Sequence, residues 1–370
     1  MDIRIYKNFD KEIEILWKEL ELQAEITPFQ TYTWLKNWYE AIGSPIFKVQ
    51  PNIVCLFNGK QLEALLPLGV KKIGPIRVLE WLGGLVTDYM SPIIMPNSKF
   101  FKDNFFSTWE EIKTTISDYD VIHLSKQKPY IGEEKNPFSH FLDSNFMMNS
   151  RQSFFENDWD EYKKLHIKQK FLRDSRRRRR RLSELGKLEF KIFDSQSDIS
   201  ALIDTMFQQK SRRYKEKEGW DIFKKEEYRQ FYKGMPKILS KESSVHFSAL
   251  LLDNVIIATH WGLISSNTFF HIMPTQEGGN LSKYSVGRLL LEDLMEWCSN
   301  SQISYFDFTG GEEEYKKEWS NKSFELTEVL ESNSLKGQLY ILAQILKSSF
   351  RDMPIMGRAL KKLYNFLRIT

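Results

Sequence analysis

The stretch "SVHFSALLLDNVIIATHWGLISSNTFFHIMP", residues 244–274, holds three mostly apolar runs divided by Asp253-Asn254 and Ser266-Asn267. Short Asp, Asn and Ser pairs accept the backbone of tight hairpins, so this stretch predicts three antiparallel strands in a meander. Strands this apolar need cover, and the flanking sequence offers it. Before them stand "KLEFKIFD", a strand, and two helical patterns at about 198–217 and 225–239. After them come a polar loop, "TQEGGNLSKYSVG", the helix "RLLLEDLMEWCSN" and a last strand, "ISYFDF". The expectation is a mixed α/β unit.

The N-terminal half mixes helices and strands as well. Ile13, Leu16, Trp17 and Leu20 mark a helix. Trp34 and Trp38 share a face in "PFQTYTWLKNWYEAIG", where Gly43 is a natural stop. "NIVCLF" and "LEALLPLGVKK" flank an Asn58-Gly59 hairpin signal, followed by "IRVLEWLG", a helical stretch at 105–116 and the strand "YDVIHLS". A chain of 370 residues exceeds the size of one ordinary core. The expected division is 1–155, 156–335 and a tail at 336–370. In the tail Leu335, Leu339, Leu342 and Leu346 form a helical stripe, and Pro354 is expected to break the segment into two helices. It carries seven Lys and Arg against Asp352 alone, so it either packs on the preceding domain or docks on an anionic membrane surface.

Two cysteines, Cys55 and Cys298, are too few for a disulfide framework or a cysteine zinc site. The opening "MDIRIYKNFDKEIEIL" is charged where a secretory signal needs an apolar run, and no stretch has the roughly 20 apolar residues of a spanning helix. A cytoplasmic protein is expected, with peripheral docking on a membrane through residues 336–370 as the alternative.

Of 53 Lys and Arg, six form one run, Arg176 to Arg181. Residues 163–191 hold 13 basic residues against three acids. Asp158 and Glu161 fit a capping box, and a single helix from there to Gly186 would carry the run in its last turns, where cations suit the helix dipole. The stripe through Phe171, Leu182 and Leu185 places Arg178 on the packing side, so its stem snorkels or its head meets an anion. The run therefore reads as a solvated basic face, a contact for an anionic ligand, or a nucleic-acid contact. Nucleic acid is the weakest of the three, because such binders spread their phosphate contacts.

Three places carry possible chemistry. Ser285, Val286, Gly287 and Arg288 lead a loop into a helix, whose free amides and dipole suit a diphosphate. In "FDFTGGEEEYKKEWS", Asp307 ends a strand ahead of Glu313, Tyr315, Lys316 and Trp319, although these also read as helix ion pairs and a core stripe. Finally, a two-residue turn at Ser266-Asn267 pairs Gly262 with His271 and His260 with Met273, placing His260 and His271 on one face, where either could accept a proton. No third ligand for a metal is evident.

These residues resemble the CelD/BcsL-type acetyltransferases associated with cellulose biosynthesis, within the GNAT superfamily and similar in architecture to Fem-type peptidyltransferases. "DFTGGEEEYKKEW" is similar to the family's terminal pattern through Asp307, Phe308, Gly311, Glu313, Tyr315, Lys316 and Trp319. "YSVGRLLLEDLM" resembles its Ser-Pro-Gly-x-Leu-Leu segment, with Val286 for the proline. Trp34, Trp38, Pro67, Asp88 and Tyr89 resemble its N-terminal segments, and the arginine helix resembles a basic helix of the family. The resemblance covers roughly residues 10–330. It implies tandem GNAT-like domains with mixed central sheets flanked by helices, the second holding acetyl-CoA or another acyl-CoA, and no metal. It implies donor contacts at Tyr284, Ser285, Gly287, Arg288 and Arg178, acceptor contacts at Asp88, Tyr89 and Trp319, and a small-molecule or glycan acceptor. Tyr284 or Tyr315 would protonate the leaving thiolate. The usual Arg/Gln-x-x-Gly-x-Gly/Ala loop keeps only its first glycine here, and Arg288 or the arginine run would compensate. The alternatives are a Fem-like transferase taking an aminoacyl group from tRNA, and a non-catalytic GNAT-fold binding subunit.

Overall fold

The computed structural model describes residues 2–98, 105–140, 142–156, 158–193, 199–217, 219–238 and 243–351. The chain forms two compact units, one of residues 1–148 and 325–370, the other of residues 149–324.

In the first unit the strands are β1 (Asp2–Tyr6), β2 (Gln50–Asn58), β3 (Gln61–Ile73), β4 (Ile76–Trp81), β5 (Ile93–Ile94) and β6 (Val121–Gln127), with the small hairpin β7 (Tyr130–Ile131) and β8 (Glu134–Lys135). The helices are α1 (Lys11–Glu21), α2 (Tyr32–Trp38), α3 (Phe105–Ile116) and the single turn α4 (Pro137–His140). As the turn signals indicate, β1 to β4 run antiparallel in order, and Asn58-Gly59 closes β2 onto β3 with Gly59 at φ 62°. Parallel strands need a crossover, and α3 supplies it between β4 and β6. Trp81, Trp109 and Phe138 meet edge-on in its core.

The second unit repeats this plan. It contains β9 (Ser144–Phe154), α5 (Trp159–His166), α6 (Gln169–Ser183), β10 (Leu188–Phe193), α7 (Ser200–Glu216), α8 (Glu226–Ile238), β11 (Ser243–Leu252), β12 (Val255–Ser265), β13 (Thr268–Gln276), α9 (Val286–Asn300), β14 (Tyr305–Gly310) and α10 (Glu314–Trp319). The meander β11 to β13 forms as expected, with Asp253, Asn254 and Ser266 in the left-handed region that such turns require. Here β13 and β14 are the parallel pair, with α9 as crossover. A mixed sheet flanked by helices thus occurs twice.

The last strand of each sheet is exchanged in sequence. After β6 the chain supplies β9, whose residues 150–154 pair with β14 of the second unit. After β14 it supplies β15 (Lys322–Ser332), whose residues 327–332 pair with β6 of the first. The units therefore divide differently from the expected 1–155 and 156–335.

Two further differences have local causes. The helix expected from Asp158 to Gly186 is two, because Ile167 turns to extended backbone after α5. Gly186 does not take the left-handed cap, and α6 ends on Glu184; a side chain at 186 would instead collide with the Asp253 carboxylate. The tail begins as α11 (Leu335–Arg351), packed on Ile76, Val78 and Val121 through Tyr340 and Ile341. The leucine stripe is not the packing face: Leu335, Leu339 and Leu342 are 79%, 69% and 53% exposed. Pro354 and the second tail helix lie outside the described residues. No helix among the described residues is long and apolar enough to cross a membrane.

Gly337 lets α11 approach, since a Cβ there would strike the Asp120 backbone carbonyl, which cannot rotate away. Gly337→Ala is expected to cost about 1–3 kcal/mol. Urea unfolding and limited proteolysis should show a weakened α11, whereas unchanged values would place the contact elsewhere.

Candidate active site

The parallel ladder between β13 and β14 has only three pairs, Thr268–Tyr305, Phe269–Phe306 and Phe270–Asp307, although both strands continue. A bulge disturbs β13 against β12 between Trp261 and Leu263, and another disturbs β14 against β9 between Asp307 and Gly310. Bulges bend strands and often sit beside active sites. Together they turn the two strands apart beyond Phe270.

His271 stands at this parting. Its ring centroid lies 5.8 Å from Phe308 and 6.4 Å from Tyr315. It stacks on His260 at 4.4 Å, with an interplanar angle of 10°. The shared face is as expected, but the bulge shifts the register, so His260 pairs with Pro274 rather than Met273. His246, which the sequence reading omitted, continues the row at 6.3 Å from His260. Both ring nitrogens of His246 and His260, and Nδ1 of His271, have no hydrogen-bond partner among the described residues. Burial pushes His246 and His271 down to about 3 and His260 well below its usual value. All three are neutral at pH 7. His260 is fully enclosed, so any influence on reacting atoms passes through His271.

Asp307 braces the parting. It is 1% exposed; Oδ1 accepts from the Thr309 amide at 2.7 Å, and Oδ2 accepts from Gln152 Nε2 at 2.8 Å. This holds Thr309 at φ 58°, a strained conformation for a β-branched residue. Lys316 donates to the Gly310 carbonyl at 2.7 Å and pairs with Glu313 at 3.2 Å. Both residues secure the turn that carries Tyr315 to the parting, and burial raises the Tyr315 phenol above its usual value. Trp319, implied as a substrate contact, is fully buried in the core; its carbonyl accepts from Ser153 and Tyr162 at 2.8 Å. Asp88 and Tyr89 belong to the first unit, whereas the other candidates belong to the second. Tyr89 is buried edge-on to Phe29.

The loop-to-helix junction forms beside a 3-10 turn, Gly279–Tyr284, with Ser285 left-handed at φ 51°. The Gly287 amide donates to Gln276 Oε1 at 2.8 Å, and a Cβ on Gly287 would collide with that same oxygen. Gln276 thus occupies the place of a helix-terminal anion. The sequence reading missed it, although it ends the strand just ahead of the polar loop.

Asp174 is the other residue missed. Its carboxylate pairs with Arg177 at 2.7 Å, with Arg178 at 2.7 Å, and with Arg288. Arg178 also donates to the Lys283 carbonyl and, at 3.0 Å, to Ser285 Oγ. The head of Arg178 therefore meets an anion, one of the two outcomes its helical position allows, and that anion belongs to the protein. Arg179 pairs with Asp293 at 2.6 Å. Among the described residues no group of three or more His, Cys, Asp or Glu could hold a metal ion.

Residues 169–317 match the family described as the acetyltransferase (GNAT) domain. The tandem α/β fold is shared with solved structures at low identity. FemX is 8% identical with a TM-score of 0.60, covering 92% of this chain and 99% of that one. A tandem GNAT protein from the clavulanic acid biosynthesis pathway is 8% identical with a TM-score of 0.52, covering 90% and 99%. The structure of L-PGS from Bacillus licheniformis is 12% identical with a TM-score of 0.51, covering 93% and 98%. No curated protein matches the sequence.

Two outcomes follow from this geometry. The Arg288 bond is the leading cause that holds Asp174 well below the usual carboxylate range, so its stabilisation is present above about pH 4 and lost as pH falls through the depressed value. Asp174→Asn is expected to cost about 2 kcal/mol in urea unfolding at pH 7; no loss would show that Asp174 does not tie α6 to α9. The buried histidines act at higher pH. Unfolded histidines take up protons near 6.5 while the buried rings do not, so stability falls from pH 7 toward 5, by up to about 2 kcal/mol per ring at pH 5. His246→Gln should flatten that slope, and an unchanged slope would contradict the burial.

Proposed function

We propose that the second unit transfers an acyl group, in the simplest case acetyl from acetyl-CoA, to an amine or hydroxyl of a sugar or polysaccharide precursor. The observation that carries the reading is the parting of β13 from β14 beside a glycine-led helix, inside the stretch that matches the acetyltransferase (GNAT) domain. The sugar acceptor rests on the sequence resemblance of residues 307–319.

The residues present fit such a donor. Its thioester supplies the activated acyl group. The N-terminus of α9 at Gly287 would receive the diphosphate once Gln276 yields its bond, with the helix dipole aiding an anion there. Beyond Phe270 the β14-facing edge of β13 is released from the ladder, so its amides can face the carbonyl oxygen as charge develops. Tyr315 keeps its proton at neutral pH and can donate it to the leaving thiolate. Neutral His271 accepts a hydrogen bond from the attacking amine; with a value near 3 it passes a proton on rather than holding it. Asp307, Glu313 and Lys316 position these groups.

A second reading, transfer of an aminoacyl group from tRNA, is favoured by the five exposed arginines of α6, Arg173, Arg176, Arg177, Arg180 and Arg181. The shared fold of FemX and L-PGS is compatible with it.

Thiol release from acetyl-CoA in the presence of amine and amino-sugar acceptors tests the first reading. Tyr315→Phe is expected to lower kcat about 10- to 100-fold with donor binding unchanged. Asp307→Asn, which can still accept from Thr309, should retain more activity than Asp307→Ala. Equal loss in both Asp307 variants would remove its positioning role, and full activity in Tyr315→Phe would remove Tyr315 as the acid.

A further inference from the structure

A pocket of about 350 Å³ lies between α6 and the 3-10 turn that leads into α9. Four cations line it, Arg177, Arg178 and Arg181 from α6 and Lys283 from the turn, against a single acid, Glu184. Tyr284 forms part of its wall, with the Lys283 ammonium 5.1 Å from its ring centroid. The fold consumes only some of this charge. Arg178 is bound to Asp174, to the Lys283 carbonyl and to Ser285, and Arg177 reaches Asp174. Arg181 and Lys283 have no carboxylate partner among the described residues.

Exposed arginines on a convex helix are ordinarily solvated and need no ligand. Here they line a concavity. Walls of one sign focus the field and raise the local concentration of anions. The Arg178 bridge also fixes the pocket against the start of α9, because its two partners there, Lys283 and Ser285, immediately precede that helix. A ligand with a diphosphate at the Gly287 amide would therefore have its next phosphate and its ring within reach of this pocket. Guanidinium groups suit a phosphoryl group through paired hydrogen bonds, and an aromatic ring suits a flat base.

We propose that this pocket binds an adenosine carrying a phosphoryl group, the phosphate on Arg177, Arg181 and Lys283 and the base against Tyr284. The assignment rests on the donor reading above and changes which arginines serve it. Arg178 and Arg288 are held by Asp174 and build the pocket, while Arg177, which gives Asp174 one nitrogen, meets the ligand with Arg181 and Lys283. Two sources share this chemistry, the 3′-phosphoadenosine end of CoA and the phosphate-linked terminal adenosine of tRNA.

Titration calorimetry on the full chain separates them, using CoA, dephospho-CoA, adenosine 3′,5′-bisphosphate and deacylated tRNA as probes. The test variant is Arg181→Gln with Lys283→Gln, both exposed, with its melting temperature checked against wild type. CoA is expected to bind the wild type at least about 10-fold more tightly than dephospho-CoA, the effect of one charge-assisted contact. The double variant should abolish that ratio by weakening CoA alone. If wild type binds both equally, or the variant weakens both equally, the pocket assignment falls while the acyl-CoA reading stands. If no CoA species binds, the acyl-CoA reading falls. Binding of bisphosphate or tRNA that the variant loses then supports the pocket with tRNA as its source. No binding of either probe, or binding that the variant retains, overturns the pocket as well.

Discussion

Phe270 faces Asp307 across the last pair of the β13–β14 ladder, and the release of the two strands beyond it is the constraint on which the site depends. A continuous sheet would bond the facing edges to each other and leave nothing for a substrate carbonyl. The bulges on either side change that by bending each strand away from its neighbour. A bend of this kind is costly unless fixed. Asp307 fixes it by holding Thr309 in a left-handed conformation, and Lys316 fixes it through the Gly310 carbonyl. Their placement is a positioning role, exercised through the backbone.

The arginine run acts through a different balance. Six consecutive arginines on a helix point in all directions, and the inward ones must find anions. Asp174, one turn before them, serves two arginines of α6 and Arg288 of α9 with one carboxylate. That bond ties the basic helix to the start of α9, while Gln276 accepts from the Gly287 amide of the same helix. Gln276 offers its oxygen where the donor reading places the diphosphate, and a ligand would exchange with it, whereas Asp174 keeps Arg178 and Arg288 in place.

Much of the architecture was legible in the sequence because turns and periodicity are local. Asp253-Asn254, Ser266-Asn267 and Asn58-Gly59 each closed the hairpin that their backbone preferences indicate. The strand exchange was not legible. Nothing in the alternation of β9 or β15 states which partner strand it will meet, and proximity in sequence favoured the wrong half. The bulge opposite Gly262 was equally hidden, so the histidines were placed on the right face with a register one residue off. At the site, Gly287 and Tyr315 could be singled out from the resemblance and their neighbours. Gln276 and Asp174 could not, since their roles arise from contacts with residues 11 and 114 positions away.

In the proposed reaction the β13–β14 parting and the start of α9 together receive the acyl donor. Hydrogen–deuterium exchange of the full chain with and without acetyl-CoA measures this directly. Donor binding at this place is expected to slow exchange in peptides covering 268–288 and 305–319, centred on the Gly287 amide. Unchanged exchange there at saturating acetyl-CoA, or slowing confined to residues 50–127 of the first unit, would contradict it.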